Sequence, residues 1–202
     1  FAGLAGEIVL WDDLTAGSDI KQLKRTPYIT GFQAGWKKFA MINLHLHPGE
    51  DTDGDPNDFA FRACEVSLLQ SALGEKISSG KIWNKNLILV GDFNFYNGPD
   101  KDDPTINLIN RAGYQEVESL IGKDTNASET EAYDRIFIKR NEYFTLGEDQ
   151  NGNEMGGVFN PFNYVFMFGE EPTYKNYMKS HYTGTKDLDA GNNLDKYFKH
   201  PW

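Results

Sequence analysis

The sequence predicts an α/β domain, and three segments support this class. Residues 87–90 are continuously apolar, as expected of a strand buried on both faces. Residues 39–46 alternate polar and apolar side chains with the period of two that is typical of a half-buried strand. Between these segments, over residues 57–79, apolar residues recur at i, i+3 and i+4 and the run ends at Gly80, which predicts an amphipathic helix. Its predicted apolar stripe comprises Phe61, Cys64, Leu68, Leu69, Ala72, Leu73 and Ile77. Strand, helix and strand therefore alternate along the chain.

Further elements are predicted on the same grounds. Strands are expected at residues 7–11, 28–33, 133–139 and 142–146, and a short helix at residues 105–112. Residues 147–199 are rich in Gly, Asn and Tyr and are expected to form loops with short helices. Because neither an internal repeat nor a linker-like change of composition divides the chain, we expect a single domain over residues 1–202.

Composition limits the classes of function. The 202 residues include 39% hydrophobic and 14% aromatic side chains, which is sufficient for a core of ordinary size. The formal net charge of −10 disfavours wrapping of nucleic acid driven by charge alone, so a phosphate-bearing substrate would require local cations or a metal ion. The longest apolar runs are far shorter than the roughly 20 residues of a membrane span, and the single Cys64 allows no internal disulfide.

A polar turn follows the apolar strand at residues 87–90. Gly91 permits a tight turn, and Asp92 and Asn94 stand two residues apart, so both side chains can lie on one face of the strand end. A carboxylate there can accept a proton or bind a metal ion, and an amide can donate to a phosphate. Taken alone, the same residues equally describe a plain turn that ends a strand.

Three motifs in chain order remove part of this ambiguity. They are Ile-Asn-Leu-His-Leu-His-Pro at 42–48, Leu-Val-Gly-Asp-Phe-Asn at 89–94 and Ala-Tyr-Asp-Arg-Ile-Phe at 132–137, with a weaker match in Arg-Thr-Pro at 25–27. Together they resemble the endonuclease/exonuclease/phosphatase superfamily, which has the deoxyribonuclease I-like fold. The resemblance implies a four-layered α/β sandwich, in which two packed, mainly antiparallel sheets are flanked by helices. It also implies that the strands ending at His45, Asp92 and Asp134 bring these side chains to one end of the domain.

The resemblance assigns a role to each matching residue. His45 is expected to contact the scissile phosphate, Asp92 to orient or deprotonate the attacking water and to bind the metal ion, and Asn94 to hold a phosphate oxygen. Asp134 is expected to orient a second imidazole, and Arg25 to meet the substrate phosphate with its guanidinium group. His47, two residues further on, is expected to share the face of His45 but matches no position of the superfamily, so we interpret it as structural, near the mouth of the cleft.

Simpler interpretations stay open for some of these residues. An isolated His in a strand is more often structural, which applies to His45, and Arg25 resembles an ordinary surface arginine. Asp134 has an alternative partner in its neighbour Arg135, with which it could form a surface ion pair.

Two expected parts of the superfamily's site have no match in the sequence. They are a metal-binding Glu on an early strand and a Ser-Asp-His triplet near the C-terminus. We expect both to lie beyond the 202 residues, and we expect these residues alone to lack a complete site and to be inactive.

The resemblance implies a phosphoester hydrolase that depends on Mg²⁺, with Mn²⁺ as a substitute. A phosphodiesterase or nuclease acting on nucleic acid is favoured slightly, although the basic residues form only a loose cluster: Lys21, Lys24, Arg25, Lys37 and Lys38. The first alternative is a phosphatase or phosphodiesterase of a lipid or inositol phosphate, and the second is a non-catalytic scaffold. Localisation and oligomeric state are not predicted.

Overall fold

Six strands and four helices make up the part of the chain that the structure describes. The computed structural model describes residues 2–7, 22–48, 56–82, 85–95, 105–126, 130–141, 144–160 and 169–199. The strands are β1 (Ala2–Glu7), β2 (Tyr28–Ala34), β3 (Lys37–His45), β4 (Leu87–Asp92), β5 (Gln115–Glu116) and β6 (Asp134–Lys139). The helices are α1 (Pro56–Ser78), α2 (Thr105–Arg111), α3 (Glu171–Ser180) and α4 (Asn193–Lys199), and a short 3₁₀ turn covers Glu118–Leu120.

The strands form one mixed sheet in the order β1-β2-β3-β4-β6-β5. Strands β3 and β4 are parallel, and all other neighbours in the sheet are antiparallel. A parallel pair requires a crossover connection, which here contains α1. The even-numbered residues of β3 and the odd-numbered residues of β4 point to one face, where they form the core together with buried leucines of α1: Ala40, Ile42, Leu44, Leu87, Leu89, Leu69 and Leu73.

The predicted α/β class is confirmed. The predicted sandwich has two sheets, whereas the described residues form one sheet. The face of this sheet opposite α1 carries half-buried apolar side chains in β2, β3, β4 and β6, including Phe32, Met41, Val90 and Ile136. Phe32 and Phe39 stack there with ring centroids 5.1 Å apart. Because the described residues form a single sheet, the two-sheet arrangement stays a prediction.

One predicted strand is wrong in part, and another lies mostly outside the described residues. A strand lies at Ala2–Glu7, and it meets the strand predicted at residues 7–11 at Glu7, while residues 8–11 are outside the described ranges. The predicted strand at 142–146 is wrong for residues 144–146, while residues 142 and 143 are not described. The backbone turns here, because the N–H of Phe144 donates to the carbonyl of Asn141 at 3.2 Å. The Phe144 ring packs 5.9 Å from the ring of Phe39, so its apolar character serves packing on the sheet.

Helix α1 matches its predicted span, but its buried stripe differs from the predicted one. Phe61 and Cys64 were expected in the core and are only half-buried, whereas Arg62 and Glu65 are fully buried. The buried stripe of α1 therefore continues from Leu69 to Glu65 and Arg62, so that an anionic and a cationic side chain point inward near its N-terminus. No helix within the described ranges, α1 included, is long and apolar enough to cross a membrane.

Candidate active site

Three of the predicted site residues lie in one row across the sheet. His45 of β3 is in register with Asp92 of β4, and Asp92 is in register with Asp134 of β6. Successive residues of a strand point to opposite faces, and the residues that share a register row point to the same face. All three side chains therefore project from one end of the sheet, on the face opposite α1.

The first two members of the row are in contact. His45 Nε2 lies 3.6 Å from Asp92 Oδ2, and the two side chains are 44% and 34% exposed. At this distance a protonated imidazole forms an ion pair with the carboxylate, and a neutral imidazole lies close to hydrogen-bond distance. Both groups remain open enough to meet a substrate that approaches from solvent.

The Asp92 carboxyl is a weaker acid than an ordinary exposed aspartate. Burial raises its pKa above the ordinary value of 3.8, because desolvation disfavours the charged form, and the neighbouring Asp134 adds to this effect. The Asn94 backbone N–H, His45 and Arg25 all act in the opposite direction. A carboxylate with a raised pKa is a stronger base than an exposed aspartate, which suits proton transfer.

The raised pKa of Asp92 predicts a pH-dependent difference in stability between the wild type and Asp92→Asn. The folded state holds the proton more tightly than the unfolded state, so ionisation of Asp92 destabilises the fold as pH rises from the ordinary pKa through the raised one. We expect the melting temperature of Asp92→Asn minus that of the wild type to increase with pH in this window. Thermal unfolding in EDTA between about pH 3 and pH 7 measures this difference. A difference that is constant with pH would contradict the raised pKa.

Asn94 is buried and holds the turn that follows β4. Its φ of 51° is left-handed, a conformation that Asn tolerates better than most residues. Its backbone N–H donates to Asp92 Oδ1 at 2.9 Å, and its side-chain Nδ2 donates to the Leu46 carbonyl at 3.0 Å. A primary amide carries two N–H hydrogens, so the contact with Leu46 uses only one of them. Asn94 thus orients Asp92 and retains capacity for the predicted contact with phosphate.

Arg25 reaches the same region from the segment that precedes β2. Its Nη1 donates to the Leu46 carbonyl at 3.4 Å, the oxygen that also accepts from Asn94. The side chain is exposed, and its charge lowers the pKa of Asp92. A planar guanidinium presents several donors, so the contact with Leu46 leaves other donors for an anion. The structure therefore brings Arg25 to the row of His45 and Asp92.

Asp134 is exposed, and Arg135 points away from it. The Asp134 backbone N–H donates to Thr125 Oγ1 at 2.9 Å, which fixes the start of β6. Arg135 is buried, and its Nη1 lies 3.2 Å from Glu116 Oε2 of β5 in an ion pair. The alternative in which Arg135 neutralises Asp134 is therefore not the arrangement in the structure, because neighbouring residues of β6 face opposite sides of the sheet.

His47 does not share the face of His45. Strand β3 ends at His45, so the alternation stops before His47, which is buried and packs its ring 4.3 Å from the Phe61 ring of α1. Its interpretation as a structural residue agrees with this position, whereas its placement on the His45 face was wrong. Two residues that do lie on that face, Asn43 and Tyr28, are exposed and paired across β3 and β2. The alternation of side chains along β3 already predicted that Asn43 lies on the same face as His45.

The oxygen donors of the row fit a hard cation in type. Mg²⁺ prefers carboxylate oxygens, and Asp92 and Asp134 supply two neighbouring carboxyl groups whose mutual repulsion a cation would relieve. Among the described residues, however, no group of three or more His, Cys, Asp or Glu is arranged to hold a metal ion. The described residues alone therefore do not form a complete set of metal ligands, and the metal-binding role of Asp92 stays a prediction.

The basic residues do not form one strip along the site. Arg25 lies at the end of the sheet that carries His45, whereas Lys37 and Lys38 begin β3. Eight residues of extended chain separate Lys37 from His45, which corresponds to roughly 26 Å. Lys21 is outside the described ranges. The loose cluster suggested by the sequence is thus divided between the two ends of β3.

Comparisons with known proteins concern the fold. No family model matches the chain, and no curated protein sequence matches it. Several solved structures are similar, and they have the deoxyribonuclease I-like fold. The predicted resemblance is to this same fold. The resemblance rests on the row of motif residues across β3, β4 and β6 and not on the share of each chain that aligns with these structures.

Three of the similar structures illustrate the degree of similarity. The human Nocturnin catalytic domain with bound sulfate is 16% identical, with a TM-score of 0.45, over 69% of this chain and 48% of that one. TDP2 of D. rerio in complex with a single-stranded DNA product is 15% identical, with a TM-score of 0.44, over 75% and 62%. A β-hairpin deletion mutant of the beta toxin of Staphylococcus aureus is 15% identical, with a TM-score of 0.42, over 66% and 53%. The chain thus spans about half the length of the first of them.

Proposed function

We propose that the protein is a metal-dependent phosphodiester hydrolase that acts on nucleic acid. The observation that supports this most directly is the row of His45, Asp92 and Asp134 at one end of the sheet, with Arg25 beside it. Two carboxyl groups, an imidazole and a guanidinium group provide a base, a donor and a cation for an anionic substrate. A scaffold that only binds a partner would not require all four groups at one place.

Each side chain has a distinct task in the proposed reaction. Asp92 accepts a proton from a water molecule, whose oxygen attacks phosphorus as the ester P–O bond breaks. His45 and Asn94 donate hydrogen bonds to the phosphate oxygens, where charge accumulates in the transition state. Arg25 binds the phosphate of the substrate, and Asp134 orients a second imidazole. A bound Mg²⁺ or Mn²⁺, held in part by Asp92, would neutralise the phosphate and the leaving oxygen.

Hydrolysis of bis-p-nitrophenyl phosphate by the protein at its natural full length tests the reaction type. We expect release of nitrophenolate with Mg²⁺ or Mn²⁺ and loss of activity with EDTA. A second assay then compares a single-stranded oligonucleotide with vesicles containing a phosphoinositide or sphingomyelin. Cleavage of the lipids alone would favour the lipid phosphatase or phosphodiesterase alternative. A folded protein that hydrolyses none of these substrates would favour the scaffold.

Replacement of Arg25 is expected to weaken binding of the substrate more than it slows the chemical step. A hydrogen bond to a charged group contributes about 1.5–3 kcal/mol, so Arg25→Ala should lower kcat/KM by about 10- to 100-fold, mainly through KM. Arg25→Lys keeps the charge but loses the planar fork, and should recover only part of the loss. Arg111→Ala, at the end of α2, is the control and should behave like the wild type. An unchanged KM in Arg25→Ala would remove Arg25 from the binding site.

A further inference from the structure

A buried carboxylate of α1 is hydrogen-bonded to two backbone segments that adjoin the candidate site. Glu65 is fully buried, which is costly for a carboxylate unless its oxygens are hydrogen-bonded. Each oxygen accepts a backbone N–H: Oε1 from Lys24 at 2.9 Å and Oε2 from His47 at 2.7 Å. Hydrogen bonds to a charged acceptor are about twice as strong as neutral ones. Glu65 is therefore a strong link between two backbone segments.

The two linked segments carry two of the candidate phosphate-binding side chains. Lys24 directly precedes Arg25, and His47 follows His45 by two residues. Along the chain these donors are 41 and 18 residues away from Glu65, so no local interaction brings them together. The Leu46 carbonyl, which accepts from Arg25 and Asn94, belongs to the peptide whose N–H donates to Glu65. Hence Glu65 fixes the peptide on which Arg25 and Asn94 meet.

Helix α1, which is packed in the core, holds the Glu65 side chain in place. Arg62, one turn before Glu65 and also fully buried, donates from Nη1 to the His47 carbonyl at 3.1 Å. His47 is thus held at its N–H by Glu65 and at its carbonyl by Arg62. Val66 and Leu69, next to these residues on the helix, are buried in the core. A shift of the segment that carries His45 would therefore break hydrogen bonds to charged groups on a well-packed helix.

We propose that Glu65 is a positioning residue of this site, which holds Arg25 and His45 at a fixed separation so that both can meet one phosphate group. This inference rests on the proposed function, and it adds a residue that does not itself touch the substrate. Its role is distinct from simple stabilisation of the loops. Loss of Glu65 should impair phosphate binding specifically through Arg25.

The test uses Glu65→Gln, with Glu75→Gln as a matched control. Gln has the same shape as Glu but places an NH₂ donor against one of the two backbone N–H groups, so one half of the link is lost. Glu75 is an exposed residue of the same helix, and its replacement changes the net charge equally. We expect Glu65→Gln to lower kcat/KM by about 10- to 100-fold, as for misplaced binding groups. We expect its Kd for inorganic phosphate to rise about tenfold, and Glu75→Gln to change neither value.

A double-mutant cycle separates positioning from stability. If Glu65 acts through Arg25, the effect of Glu65→Gln on phosphate binding should largely disappear in the Arg25→Ala background, because the group it positions is gone. A purely structural role would give the same loss in both backgrounds. If Glu65→Gln does not fold, Glu65→Asp takes its place, since a carboxylate shortened by one methylene cannot reach both N–H groups.

The outcomes distinguish this inference from the proposed function. A wild type that binds phosphate with the expected coupling but hydrolyses no ester would refute the function and leave the positioning role supported. A hydrolytic wild type with equal kcat/KM in Glu65→Gln and Glu75→Gln would overturn the positioning role alone. Additive effects in the cycle, or a wild type without phosphate binding, would overturn it as well.

Discussion

Replacing Asp92 with Asn is expected to lower kcat by about 10²- to 10⁴-fold, the range typical of losing a general base. Asn keeps the shape of the side chain and an oxygen that can accept the Asn94 backbone N–H, which Asp92 Oδ1 accepts at 2.9 Å. It cannot accept a proton from water, and it removes the charge beside His45. The loss should therefore appear in the rate of hydrolysis of bis-p-nitrophenyl phosphate, with the fold unchanged by circular dichroism.

Asp149→Asn provides the control for this change of charge. Asp149 lies at a turn outside the row, where its carboxylate accepts the backbone N–H groups of Asn151 and Asn153 at 2.8 and 2.9 Å. Asn forms the same type of turn, so both structure and activity should be retained. Wild-type activity in folded Asp92→Asn would remove Asp92 from its proposed role as a base. Equal losses in both variants would point to a general effect of charge.

The largest expected effect on stability comes from Gly91→Ala. Gly91 has a φ of +137°, which L side chains rarely adopt, and it pairs with Leu44 in the parallel part of the sheet. An added Cβ would overlap the Leu44 carbonyl oxygen and lie 3.1 Å from Asn43 Oδ1. Because the obstructing atom is backbone, relief requires β3 and β4 to move apart. Strain and overpacking together should lower the free energy of unfolding by roughly 2–5 kcal/mol.

Gly74→Ala is the matched substitution for Gly91→Ala. Gly74 lies within α1, is exposed, and has no atom within 4 Å of an added Cβ. Ala is favoured over Gly inside helices by about 0.5–1 kcal/mol, so this variant should be more stable than the wild type. Urea unfolding of both variants measures the two opposite changes. A Gly91→Ala protein as stable as the wild type would show that β3 and β4 can separate at this point without cost.

The resemblance of three motifs was sufficient to place His45, Asp92 and Asp134 together, because each motif lies at a strand terminus. His45 and Asp92 are the last residues of β3 and β4, whereas Asp134 is the first residue of β6 and not the last one, as had been expected. The sequence was also sufficient for α1, whose apolar repeat is long. It could not reveal the inward direction of Arg62 and Glu65, since charged residues in a helix are normally solvated. The hydrogen-bond partners of Glu65 are backbone groups 18 and 41 residues away, and Arg62 donates to the His47 carbonyl, 15 residues away. No local sequence pattern indicates such distant contacts. The same limit applies to Glu116, which sits in a strand of two residues and pairs with Arg135.

The spacing within the row is set by the backbone ladder of the sheet. Neighbouring strands are held about 4.8 Å apart by hydrogen bonds between main-chain atoms, whatever side chains they carry. Loops around the row can therefore lengthen, shorten or change sequence during evolution while the distances among the three functional groups stay the same. The same architecture has a weakness, since a slip of one residue in β4 would turn Asp92 toward α1 and separate it from both neighbours at once. The substrate preference can therefore change during evolution through the loops, whereas a change of strand register would disrupt the site.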